Sequence, residues 1–277
     1  MMTEMRHAIA GILLVFACSR ASAQSPAPAD QNPQPFKILD NSYLVEEAFN
    51  QEPGVVQNIF QWMRLSGVWA FTFTQEWPVP RETHQLSYTL ALNGGDGGTK
   101  FGDMLVNYRY QVMRESRSQP AFAPRVSLVL PTAQGRVTRS PGLQVNLPFS
   151  KQVRDVYFHW NAGFTALPSP EPDAIATNKT LFSPQLAGSA IWRMRPMFHL
   201  MLETLYTSEQ YFQQLGATAR SNLGTVSPGF RTGWDVGEAQ IIWGAAAPVT
   251  FGDGRTVKAL LLYFSYESRI WGSKERQ

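Results

Sequence analysis

His159 and His199 are the histidines placed to act as bases in this sequence, and Ser183, Ser189 and Ser227 are the hydroxyls that would serve as nucleophiles. A hydrolase needs nucleophile, base and orienting group within hydrogen-bond reach of one another. None of these serines stands in a Gly-x-Ser-x-Gly turn, and neither histidine is bracketed by acidic residues in a catalytic motif. His199 and Glu203 fall on one face of a strand, but two ligands are too few for a metal site. The glycine-rich run NGGDGGTK lacks the Gly-Lys-Ser/Thr order of a phosphate loop and separates two strand patterns, so it is a turn. Asn178, Lys179 and Thr180 form a glycosylation sequon, which is set aside because the chain has a bacterial character. The sequence therefore predicts no enzyme, no cofactor and no metal.

What remains is a set of charged residues at regular places: Glu76, Arg109, Arg125, His159, Glu203, Arg231, Glu267 and Arg269. Each lies on the polar side of a segment that alternates residue by residue. The clearest alternation falls in residues 101–150. There Met104, Val106, Tyr108, Tyr110 and Val112 oppose Asp103, Asn107, Arg109 and Gln111, and Leu143, Val145, Leu147 and Phe149 oppose Gln144 and Asn146. A period of two is that of a β-strand. A soluble sheet would turn the apolar side inward and leave the charges solvated. An outer-membrane barrel turns the apolar side to lipid, here Val106, Tyr108 and Val145, and gathers the charges around a lumen.

The same alternation recurs from Val55 onward, in about twelve stretches of roughly ten residues, an even number and the length of a tilted membrane strand. Trp62, Trp77, Trp192, Trp234 and Trp271 recur near strand ends, where an aromatic girdle belongs. Ser66 and Gly67, and the Gly252-Asp253-Gly254 tip, mark tight hairpins, and the polar stretch 208–223 is expected to be a long loop. No helix-period segment interrupts the strands. The fold class is all-β, an antiparallel transmembrane β-barrel preceded by a short N-terminal helix.

The start of the chain is a leader. Arg6 and His7 precede an apolar run ended by Ala21-Ser22-Ala23, which predicts a secretory signal peptide over 1–23. A lipoprotein signal at Val15-Phe16-Ala17-Cys18 is a poorer fit. Cys18 is the single cysteine, so the mature chain has neither a disulfide nor a thiol-based site. Residues 24–54 form a Pro- and Gln-rich linker and the short helix SYLVEEAFN, capped by Asp40 or Asn41 and lying near a barrel mouth or partly plugging it. The barrel spans 55–271 and a tail 272–277. A formal net charge of +3 is too balanced to imply nucleic acid, and a mean hydropathy of −0.21 suits strands whose second face is polar.

These segments also look like a known family. FGDMLVNYRYQ, APRVSLVLPT and GLQVNLPFS, with QEPGVVQ from Gln51, QEWPVP from Gln75, HQLSY from His84 and SPGF from Ser227, resemble the family named for the MetA pathway of phenol degradation. Leu130-Pro131-Thr132-Ala133 departs from it, where glycine is expected after the threonine. The resemblance implies an exported outer-membrane β-barrel that transports small compounds, aromatic or hydrophobic ones included. The expected partners are outer-membrane lipid and a small solute. Two alternatives stay open on the sequence: a non-conducting structural or adhesive barrel, and a soluble periplasmic β-domain.

Overall fold

The computed structural model describes residues 38, 42–134, 140–168, 180–213, 217–237 and 239–270. The expected leader, the C-terminal tail, Trp271 and the sequon Asn178 and Lys179 lie outside the described residues. The first eight segments are β1 (Val55–Leu65), β2 (Val68–Trp77), β3 (His84–Gly95), β4 (Gly98–Phe101), β5 (Met104–Tyr110), β6 (Ala121–Phe122), β7 (Arg125–Leu130) and β8 (Gly142–Val153). They are followed by β9 (Val156–Leu167), β10 (Leu181–Arg195), β11 (Phe198–Phe212), β12 (Thr218–Val236), β13 (Ala239–Ala246), β14 (Val249–Gly252) and β15 (Arg255–Arg269).

Every pairing is antiparallel, and the sheet closes where β1 meets β15, from Val55 opposite Arg269 to Leu65 opposite Ala259. Three wall strands are each made of two segments. β4 and β5 both pair with β3, β6 and β7 both pair with β8, and β13 and β14 both lie between β12 and β15. Two of the breaks fall at Pro124 and Pro248, which have no N–H to give to a ladder. The result is a closed barrel of twelve strands.

Closure is what allows this chain to be inside out. β5 buries Leu105, Asn107 and Arg109 and exposes Val106, Tyr108 and Tyr110, and β7 does the same with Arg125 and Ser127 against Val126 and Leu128. Such a surface is stable against lipid tails, where a closed ladder leaves no strand edge to satisfy. Aromatic rings stack along the outside near one rim. Phe149 lies 4.4 Å from Phe122 and 5.7 Å from Trp160, centroid to centroid. Trp77, Trp192 and Trp234 lie near the same rim, at which β1 begins and β15 ends, whereas Trp62 sits mid-strand opposite Phe71.

Two expectations are corrected. The stretch 208–223 is mostly not a loop: β11 and β12 pair without interruption from Thr207 opposite Leu223 to Phe212 opposite Thr218. Its polarity concealed a strand extension, held by bonds such as Ser208 Oγ to Asn222 Oδ1 at 2.8 Å and Arg220 Nη1 to the Ser208 carbonyl at 2.8 Å. The second correction is the N-terminal helix. Residues 42–50 form bends with no helical turn and lie buried inside the barrel. Their amide hydrogens are taken by wall side chains, and that competition removes the reason for a helix.

Candidate functional site: a lumen filled by the N-terminal segment

The inner wall presents acceptors in the order in which the segment needs them. Glu203 Oε1 on β11 accepts the N–H groups of Tyr43, Leu44 and Val45 at 2.9, 2.7 and 3.2 Å. Asn161 on β9 pairs with the backbone of Glu46 in both directions, accepting its N–H at 2.7 Å and donating to its carbonyl at 2.8 Å. Ser150 Oγ accepts from Ala48 N at 2.8 Å, and Gln85 Oε1 from Gln51 N at 2.8 Å. Donors from the wall meet the segment's carbonyls: Arg109 Nη1 reaches Phe49 at 2.6 Å and Gln111 Nε2 reaches Ala48 at 2.7 Å. The wall thus acts on the segment as a neighbouring strand would, but through side chains.

Apolar packing also holds its N-terminal end. Ile38, Tyr43, Leu44 and Val45 join a buried cluster with Ile59, Met63, Ile191, Ile242, Leu261 and Tyr263. Tyr43 stacks on Tyr263 with centroids 4.8 Å apart, and its hydroxyl donates to the Phe230 carbonyl at 2.6 Å. Gly244 makes the room: a Cβ there would sit 1.8 Å from the Tyr43 hydroxyl oxygen.

Charges are matched across this interface. Glu46 is shared by Arg109, at 3.5 Å, and Arg125. Its neighbour Glu47 points the other way, 3.5 Å from His159 Nε2 and 4.0 Å from Arg231 Nη1. Arg231 Nε donates to His199 Nδ1 at 3.1 Å. Arg125 is further seated by Asn107 Oδ1 at 2.9 Å, Gln144 Oε1 at 3.0 Å and Ser127 Oγ.

The proposed wall charges are placed as follows. Arg109, Arg125, His159, Glu203 and Arg231 face inward and meet the N-terminal segment. Glu76 faces inward and accepts from Gln85 Nε2 at 2.7 Å, and Glu267 is buried on β15. Arg269 stands at the rim, where it donates to the Pro53 carbonyl at 2.7 Å and pairs with Glu52 at 3.2 Å. Val106 and Tyr108 point outward and are exposed, and Val145 is outward and half-buried.

Of the serines named from the sequence, two are engaged elsewhere, Ser189 Oγ with Ser42 Oγ at 2.8 Å and Ser183 Oγ with Gln210 N at 3.0 Å, and Ser227 is fully buried on β12. Instead Ser150 Oγ lies 2.7 Å from His159 Nδ1, with Glu47 beyond the ring. This Ser-His-Glu series has the order of a charge-relay triad, yet Ser150 is fully buried and its oxygen accepts from Ala48. No substrate carbonyl reaches it while the segment is in place, and removing the segment removes Glu47. Among the described residues no three His, Cys, Asp or Glu side chains gather as metal ligands. Sequence reasoning missed Glu46, Glu47 and Ser150. The one available signal was that Glu46 and Glu47 are adjacent acids in the short stretch before the first strand.

Fold and site together define a transmembrane β-barrel whose lumen is filled by its own N-terminal segment. Among solved structures, the chain is similar to an outer membrane channel from Pseudomonas putida F1, at 11% identity and a TM-score of 0.58, over 79% of this chain and 97% of that one. It is also similar to the NanC porin, at 9% identity and a TM-score of 0.47, over 76% of this chain and 98% of that one. At such identities the likeness is one of fold. No family model matches the sequence, and no curated protein matches it.

Proposed function

We propose that this protein is an outer-membrane channel for small solutes, aromatic and hydrophobic ones included, and that Ile38 and residues 42–51 form a plug closing its lumen. One observation carries the reading: the wall is complete without the plug. Twelve strands close through backbone bonds between β1 and β15, while the described bonds of residues 42–51 to the wall all use a side chain on at least one partner. The segment is covalently continuous with the wall at Gly54 and can leave without opening a ladder. On this reading the inward charges, from Glu76 to Arg269, border the solute path, and Val106, Tyr108 and Val145 meet lipid. A leader over 1–23 that directs export, and membership of the phenol-degradation MetA family, belong to the same proposal.

The burial of the inner face supports a second reading, a filled barrel with a structural or adhesive role. Planar-bilayer recording separates the two. Protein lacking residues 38–50 should conduct continuously where the parent opens rarely. A folded deletion variant that conducts no better than the parent would leave the structural reading standing.

A further inference from the structure

Arg109 and Arg125 are direct partners across the β5–β7 ladder, and both side chains point inward, each 1% exposed. Like charges directly opposite one another destabilise an antiparallel pair, and burial removes the water that would screen them. Glu46 resolves this conflict with one carboxylate oxygen toward each guanidinium, Oε2 at Arg109 and Oε1 at Arg125. Asn107, Ser127 and Gln144, all wall residues, hold the Arg125 guanidinium in place. The wall therefore contains a preformed two-arginine clamp for one carboxylate, and its occupant belongs to the segment read as a plug.

We infer that the channel takes small carboxylate anions, and that the solute carboxylate replaces Glu46 between Arg109 and Arg125 as the plug leaves. The inference rests on the proposed function, since it requires a plug that moves. Its logic is one of exchange. A neutral solute entering in place of Glu46 leaves two opposed buried arginines with one acid fewer, Glu76 on the wall still attracting Arg109, whereas a carboxylate conserves their pairing. Planar guanidinium groups suit a carboxylate's two oxygens, which sets this class of anion apart from a spherical halide. Glu47, 4.0 Å from Arg231 and 3.5 Å from the His159 ring, marks a second place where the plug lays a carboxylate against the wall. Successive moderate sites are what passage through a narrow lumen requires.

The test uses protein purified from outer membranes and recorded in planar bilayers in potassium chloride, with benzoate or the neutral benzyl alcohol added. Benzoate should raise the open probability saturably, and benzyl alcohol at equal concentration should not. Glu46→Gln should open at least about tenfold more often without benzoate, the least expected when a doubly paired buried carboxylate loses its charge. Arg125→Gln should abolish the benzoate response. If benzoate and benzyl alcohol act alike on a conducting parent, the inference is overturned and the plugged channel stands. That comparison needs no variant, so it decides even if the substitutions fail to fold. If neither the parent nor the plug deletion conducts, the channel reading fails and the inference falls with it.

Discussion

Glu203 shows how one wall residue sets the course of a chain segment. A single oxygen receives three consecutive backbone donors, from Tyr43, Leu44 and Val45. Glu203→Ala leaves those donors buried and unmatched, at about 1–3 kcal/mol each. We expect the amides of residues 43–45 to exchange roughly a hundredfold faster or more, as read by hydrogen-exchange mass spectrometry. Glu203→Gln keeps an acceptor oxygen and should lose much less protection; equal losses would mean that the negative charge, rather than the acceptor, is what matters. Residue scale also distinguishes the two faces. Val106→Arg places a charge on the outward face and should destabilise the barrel by about 2–4 kcal/mol if near the membrane midplane. Its inward neighbour Asn107 bonds Arg125 at 2.9 Å and Ser87 at 3.1 Å. Asn107→Ser should cost about 1 kcal/mol, whereas Asn107→Arg brings a third charge beside Arg125 and is expected to be poorly tolerated. Urea unfolding of the three variants in detergent checks the order. An inner face that admits arginine freely would contradict the packed lumen.

At the scale of elements, the wall and the plug are built by different rules. Wall strands owe their register to backbone ladders and alternation, so each can be read from its own ten residues. The plug owes its path to partners more than a hundred residues away, including Asn161, Ser150 and Glu203. The β11–β12 extension follows a third rule. Beyond the apolar belt Ser208, Glu209 and Gln210 lie opposite Asn222, Ser221 and Arg220, and a ladder can continue there with no hydrophobic alternation to announce it. Tyr206 is the last exposed apolar residue of β11 on the outer face before Ser208, Glu209 and Gln210. Shortening this hairpin by removing residues 209–220 and rejoining its ends with a two-residue Asn-Gly turn should leave the remaining barrel folded, as judged by circular dichroism and gel mobility. Loss of folding would show that the extension is part of the stabilising wall.

At the scale of the whole molecule, closure is the dominant fact. Twelve strands joined from β1 to β15 expose no edge, so detergent has no ladder end from which to unzip the sheet. Unboiled protein should migrate faster in sodium dodecyl sulfate gels than boiled protein, and it should fractionate with outer membranes. A single unchanging band with recovery in the soluble periplasm would point to a soluble domain.

The sequence by itself determined the wall. Alternation of Val106 and Tyr108 against Asn107 and Arg109, repeated from Val55 to the last strand, is local, because a strand's two faces are set by its own successive residues. The hairpin tips at Gly67 and Asp253 were legible for the same reason, since both adopt positive φ, 81° and 49°. The candidate site was legible by half. Arg109, Arg125, His159, Glu203 and Arg231 announced an inward charged face, but nothing local said what fills it. Only the tertiary structure decided that SYLVEEAFN is not a helix, that Glu46 and Glu47 enter the lumen, and that Ser150 meets His159. The physical reason is that a segment's backbone donors go to the best acceptors within reach. Here those acceptors are wall side chains that become neighbours only when the barrel closes.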